Sequence, residues 1–159
     1  MSAPRAAVIT CSTRAATGVY EDKGGPQITA ALREWGLDAA DPVVVADGEA
    51  VTKAIAAALD ERPAVLITTG GTGLTPTDRT PEATAPFITQ EVPGIAEALR
   101  AAGIAGGVPA AMLSRGITGL AGSTLVVNLP GSSGAVRDGL AVLGPVMPHI
   151  LSQIGGGDH

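Results

Sequence analysis

A chain of 159 residues suits one domain with a single sizeable core, and its 45% hydrophobic content argues against a disordered chain. The net charge of −5, the absence of any basic run and the presence of only three aromatics, Tyr20, Trp35 and Phe87, argue against a nucleic-acid partner. Phosphate neutralisation and base stacking both lack material. Met1 to Val8 holds no long apolar segment and no stretch has eighteen continuous apolar residues, so neither a secretory signal nor a membrane span is expected.

In chain order, Ala6 to Cys11 is a short apolar run, the candidate first buried strand. Gln27 to Trp35 places Ile28, Ala31, Leu32 and Trp35 on one helical face, ended by Gly36. Pro42 to Ala46 reads as a second strand. Gly48 to Leu59 follows as a helix with Val51, Ile55, Ala58 and Leu59 on one face. Ala64 to Thr69 is a third strand that runs straight into a glycine-rich turn. Thr80 before Pro81 reads as an N-cap, Pro93 opens a helix to Ala102 closed by Gly103, and Thr124 to Leu129 is a further strand. Two closing helices are expected, Ala135 to Leu143 and Pro148 to Ile154. Alternating strands and amphipathic helices define an α/β sandwich with a mostly parallel sheet. Residues 1–154 read as one domain and 155–159 as a flexible C-terminal tail.

Ligands of such sheets sit at the carboxyl ends of the strands, where both glycine-rich loops fall. The first, from Thr68 to Thr84, carries Thr69, Gly70, Gly71, Thr72 and Gly73; its glycines let the backbone aim N–H groups at an anion, or simply make a tight turn. It is neither a Walker A loop nor a dinucleotide fingerprint. Asp78 beside an anion site implies a divalent cation, or else a solvated aspartate paired with Arg79. Asp47, at the end of the second strand, caps the next helix or faces the same cleft as Asp78. The second loop, Asn128 to Gly134, contains Pro130, Gly131 and Ser132 and precedes a helix whose free N–H groups favour an anion or take an ordinary serine cap. Ser114 and Arg115 offer a hydroxyl and a guanidinium for phosphate. Cys11, the single cysteine, reads as a core residue. It permits no intramolecular disulfide and fits a reducing compartment, the cytoplasm. The histidines, His149 and His159, lie far along the chain from both loops, which argues against a Ser-His-Asp or Cys-His site. No His/Cys cluster has zinc spacing.

The run from Thr68 to Thr84 closely resembles the hallmark segment of the MoaB/Mog family of molybdenum-cofactor proteins, and Asn128 to Gly134 is similar to its second signature. Glu91-Val92-Pro93-Gly94, Leu113-Ser114-Arg115 and the stretch from Cys11 to Pro26, with Ser12-x-Arg14-Ala15 and Gly18-x-Tyr20-x-Asp22-Lys23-Gly24, resemble further segments, the last those of the Mog branch. Thr13 stands where many relatives carry aspartate. The resemblance implies a three-layer α/β fold, a homotrimer, and Mg²⁺-dependent transfer of AMP from ATP to molybdopterin. Asp47 and Asp78 match the family's two acidic catalytic positions, with the cation near Asp78 and Asp47. Contact with the pterin or its phosphate is expected of Ser12 and Ser114. The alternatives are a non-catalytic molybdopterin-binding paralogue and a scaffold protein of cofactor assembly.

Overall fold

The computed structural model describes residues 2–157, so Asp158 and His159 of the expected tail lie outside the described residues. Seven strands and six helices follow one another: β1 (Arg5–Cys11), α1 (Thr13–Ala16), α2 (Gly24–Glu34), β2 (Asp38–Ala39), β3 (Val43–Val45), α3 (Glu49–Asp60), β4 (Val65–Thr69), α4 (Thr80–Thr84), β5 (Gln90–Glu91), α5 (Pro93–Ala105), β6 (Thr118–Ala121), β7 (Thr124–Leu129) and α6 (Ser133–Ile154). Two 3₁₀ turns, Ala85–Phe87 and Pro109–Leu113, join helices to strands.

The sheet order is β2-β1-β4-β7-β6-β5, with β3 also pairing β1. β1, β2, β3, β4 and β7 run parallel, while β6 and β5 are antiparallel additions at the far edge. The parallel strands at the centre are aliphatic because both faces are covered: every residue of β4 and β7 is buried. Side chains alternate between two cores. Val65 and Ile67 of β4 and Leu125, Val127 and Leu129 of β7 meet Ile28 and Leu32 of α2 and Val136, Leu143 and Met147 of α6. Leu66 and Val126 face the other way, onto Val51 and Ile55 of α3 and Ala83 of α4. Each of the Val, Leu, Ile and Met side chains contributes roughly 1.5–3 kcal/mol on full burial. The result is helix, sheet, helix, the three-layer arrangement expected.

Several elements differ from the sequence reading. The two expected closing helices are one, the 22-residue α6, which runs through Pro145 and Pro148. Its buried stripe of Val136, Gly139, Leu143 and Met147 stays in phase across Pro145, so continuous burial outweighs the hydrogen bonds the prolines remove. Gly103 does not end α5, which continues to Ala105. It is buried instead against Ala111, where a β-carbon would collide with the Ala111 methyl. Thr80 is the first residue of α4, not its cap, and its side chain makes no capping bond. The strand expected from Pro42 to Ala46 shortens to β3, and β2 precedes it on the same edge of β1; Pro42, without an N–H, falls between them. Gly155, Gly156 and Gly157 turn back to donate to carbonyls of the last turn of α6.

Candidate functional site

Register places the site. Thr10 of β1 lies beside Thr69 of β4, Thr69 beside Leu129 of β7, and Cys11 beside Val45 of β3, so four parallel strands end at one level. The loops leaving those ends enclose an open cleft of about 910 Å³, lined by residues from Thr10 to Ala15, Tyr20 to Gly24, Asp47, Thr69 to Gly71, Thr77, Asp78, Gly131 and Ser133.

The glycines are needed where they stand. Gly70 has φ +94°, and a β-carbon there would strike the carbonyl of Cys11. Gly71 has φ +68°, and a β-carbon there would strike Thr80 Oγ1. The Gly70 N–H bonds to the carbonyl of Leu129, and the Thr69 hydroxyl donates to the carbonyl of Pro130 at 2.8 Å, which ties the two glycine-rich loops together. Gly24, at the start of the 11-residue α2, lines the cleft, as do Gly131 and Ser133 at the start of α6. Two helix N-termini therefore present their positive ends to one space.

Three half-buried carboxylates, Asp22, Asp47 and Asp78, enter the same space, with the exposed Glu21 beside them. Asp47 does not cap α3, whose N-cap is Gly48 at φ +102°. Its Oδ2 accepts from the backbone N–H of Thr13 at 3.3 Å and from the Thr13 hydroxyl at 3.1 Å, and its own N–H donates back to that hydroxyl. Thr13 thus sets two hydrogen-bond donors against Asp47. Asp78 is not paired with Arg79. It closes a turn that begins at Thr75, its N–H donating to the Thr75 carbonyl and its Oδ2 accepting from the Thr75 N–H at 3.1 Å. Among the described residues neither Asp47 Oδ1 nor Asp78 Oδ1 has a hydrogen-bond partner, and no group of three or more His, Cys, Asp or Glu side chains is placed to hold a metal. Cys11 lies at the cleft floor, and burial pushes its thiol up to about 11, so it is neutral at physiological pH, as befits a core residue.

The cleft gathers Ser12, Thr69, Gly70, Gly71, Gly131, Asp47 and Asp78 from the expected set. Thr72, Gly73, Ser114, Arg115, Pro130 and Ser132 fall outside its lining. Arg115 is placed differently from an open phosphate ligand. Its guanidinium grips Glu82 through two bonds, at 2.5 and 3.2 Å, and donates to the carbonyls of Gly73 and Asp78 at 2.9 and 2.8 Å. It clamps both ends of the segment from Gly73 to Asp78. That bonding holds the Glu82 carboxyl below its usual range. The Ser114 hydroxyl donates to Thr72 Oγ1, and Ser114 and Pro130 line a separate, small cavity of about 30 Å³. Ser132 caps α6 by accepting from the Ala135 N–H. Residues not singled out for the site also enter the cleft: Lys23, Arg14, Thr13, Tyr20 and Ser133. Lys23 sits next to the N-terminus of α2, in a stretch whose motif was legible but whose direction into the cleft depends on tertiary structure.

A cleft at the carboxyl edge of a parallel sheet, floored by glycine-rich loops and two helix N-termini and lined by the carboxylates of Glu21, Asp22, Asp47 and Asp78, defines an α/β domain whose free backbone N–H groups can receive an anion. Residues 7–149 match the family described as "Probable molybdopterin binding domain". The molybdenum cofactor biosynthesis bifunctional protein of Synechococcus elongatus is 46% identical over 155 residues, covering 97% of this chain and 48% of that protein. The molybdopterin adenylyltransferase of Helicobacter pylori is 34% identical over 151 residues, covering 92% of this chain and 85% of its own length. The chain therefore spans about half the length of the first of these relatives and most of the second. Among solved structures, the molybdopterin biosynthesis Mog protein of Mycobacterium ulcerans superposes with a TM-score of 0.91 at 49% identity, covering 96% of this chain and 99% of that one. The chain belongs to the molybdopterin-binding domain family.

Proposed function

We propose that this protein acts in molybdenum-cofactor biosynthesis by transferring AMP from ATP to molybdopterin. The observation that carries the reading is the meeting of Asp47 and Asp78 in one cleft with the Gly70-Gly71 loop and the N-termini of α2 and α6. The activity named for the Helicobacter pylori relative, 34% identical along most of both chains, supports it.

In this reaction an oxygen of the molybdopterin phosphate forms a bond to the α-phosphorus of ATP, and the bond from that phosphorus to the bridging β-oxygen breaks. Adenylyl-molybdopterin and pyrophosphate result. The nucleophile is already anionic, so the protein supplies no strong base. Its task is to overcome repulsion between phosphates and hold them in line. The backbone around Gly70 and Gly71 and the ends of α2 and α6 receive anionic groups, and Lys23 and Arg14 add positive charge to the same cleft.

Asp47 and Asp78 fit Mg²⁺, which takes one or two carboxylates and completes its shell with phosphate oxygens and water; each has one carboxylate oxygen without a hydrogen-bond partner among the described residues. When bound, the cation neutralises charge on the triphosphate. The Thr13 donors orient Asp47, and the Thr75 turn fixes Asp78.

A homotrimer belongs to the same reading. Ile104, Val108, Met112 and Leu113, within ten residues of chain, are all large, apolar and exposed.

The test is pyrophosphate release from ATP and Mg²⁺, with and without molybdopterin. Asp78→Asn is expected to abolish release without lowering the melting temperature by more than a few degrees, because Asp78 is only half-buried and its turn survives through its own N–H. Molybdopterin binding without release would instead identify a non-catalytic binding protein.

A further inference from the structure

Tyr20 stands apart from the other two aromatics. Trp35 and Phe87 are partly buried and pack against the two cores, whereas Tyr20 is 52% exposed and lines the cleft. An aromatic ring left half in water at the edge of a polar cleft gains nothing for the core, so its placement calls for another reason.

The ring is also held in place. Its hydroxyl shares a 3.0 Å hydrogen bond with Ser12 Oγ, and Ser12 is itself fixed as the N-cap of α1 through the Ala15 N–H. On the side before Tyr20 the chain folds back so that the Val19 N–H bonds to the carbonyl of Arg14 at 2.8 Å. On the side after it, Asp22 is anchored twice, accepting from the Thr10 hydroxyl at 2.9 Å and from the Gly25 N–H at 3.1 Å. A β-carbon on Gly25 would collide with both the Asp22 carboxylate and the Thr10 hydroxyl, so the sequence makes room for that anchor. An aromatic face held through its hydroxyl, on a stretch anchored before and after it, loses little entropy when a ligand lies on it. Lys23 and the N-terminus of α2, three to four residues on, supply positive charge for a phosphate attached to the same ligand.

We propose that the Tyr20 ring is the platform on which the planar nitrogen heterocycle of a phosphate-bearing substrate stacks. The proposal rests on the reading of the cleft as the site of ATP and molybdopterin. Both molecules carry such a ring, and the test separates them.

Equilibrium binding of three probes, ATP with Mg²⁺, molybdopterin, and ringless inorganic tripolyphosphate with Mg²⁺, is measured by calorimetry on wild type, Tyr20→Ala and Tyr20→Phe. Stacking predicts that Tyr20→Ala weakens one ring-bearing probe by about ten- to a hundred-fold, leaves tripolyphosphate within about two-fold, and that Tyr20→Phe stays within about three-fold of wild type for every probe. Loss confined to ATP assigns the adenine to Tyr20; loss confined to molybdopterin assigns the pterin. The proposal is overturned if Tyr20→Ala binds both ring-bearing probes like wild type, or loses tripolyphosphate in parallel, or if Tyr20→Phe is as impaired as Tyr20→Ala. Wild-type protein that binds neither ATP nor molybdopterin overturns the functional reading along with it, whereas wild-type binding that is indifferent to Tyr20→Ala overturns the stacking alone.

Discussion

Arg115 has five N–H donors in a rigid fork, and the structure engages four of them within the chain, on Glu82 and on the carbonyls of Gly73 and Asp78. In the proposed reaction its effect is therefore indirect, through the shape of the segment that carries Asp78. The pH dependence of this clamp has a definite sign. The hydrogen bonds from Arg115 lower the Glu82 pKa in the folded protein. The stability they add is therefore present above the ordinary glutamate value and is lost as pH falls through the lowered folded value. Wild type is expected to melt above Glu82→Gln at neutral pH, with the gap closing as pH drops below about 4.3, the ordinary glutamate value. Melting curves across that range check this, and a gap independent of pH would contradict it. At this scale the sequence marked candidate residues such as Asp47, Asp78 and Arg115 but not what they touch. Arg115 and Glu82 are 33 positions apart, and Asp47 and Thr13 are 34 apart. No local pattern joins such pairs; the fold does.

Among the elements, the buried parallel strands were legible because both their faces are apolar, which leaves continuous runs such as Val65 to Ile67. β5 and β6 were not. They are two and four residues long and half-polar, and Gly119 in β6 has no side chain to announce a strand; a β-carbon there would strike the backbone of Gln90 across the pair. α6 was misread as two helices because Pro145 and Pro148 normally end a helix. Both prolines are exposed, so replacing either removes little packing. Pro148→Ala restores a donor toward the Gly144 carbonyl and relieves the ring's clash there. A helix-interior proline is about 3 kcal/mol worse than alanine, offset by up to about 1 kcal/mol of unfolded-chain entropy. The variant is thus expected to gain about 2 kcal/mol and to melt several degrees higher. A lower melting temperature would mean that the prolines set a bend the core requires.

For the whole molecule, what matters is that β1, β3, β4 and β7 end at one level, so that loops far apart in sequence close around one cleft. That convergence follows from parallel order, which is why both glycine-rich loops were legible as strand-end loops, while Asp47 was left open between a helix cap and the same cleft as Asp78. The contribution of the stretch holding Tyr20 and Lys23 was not legible, because its direction is set by the Asp22 anchor on Thr10. The exposed apolar corner around Met112 belongs to this scale as well. If it is the trimer contact, sedimentation will give three times the 15.6 kDa chain mass, and Met112→Glu will shift the protein to monomer. A wild-type monomer would remove the trimer from the account. The central claim is that one cleft brings ATP and molybdopterin together under Asp78, and pyrophosphate release tests it most directly. The account predicts release that requires both ATP with Mg²⁺ and molybdopterin and that vanishes in a folded Asp78→Asn variant. Wild-type rates in that variant, or no release from wild-type protein that binds molybdopterin, would contradict it.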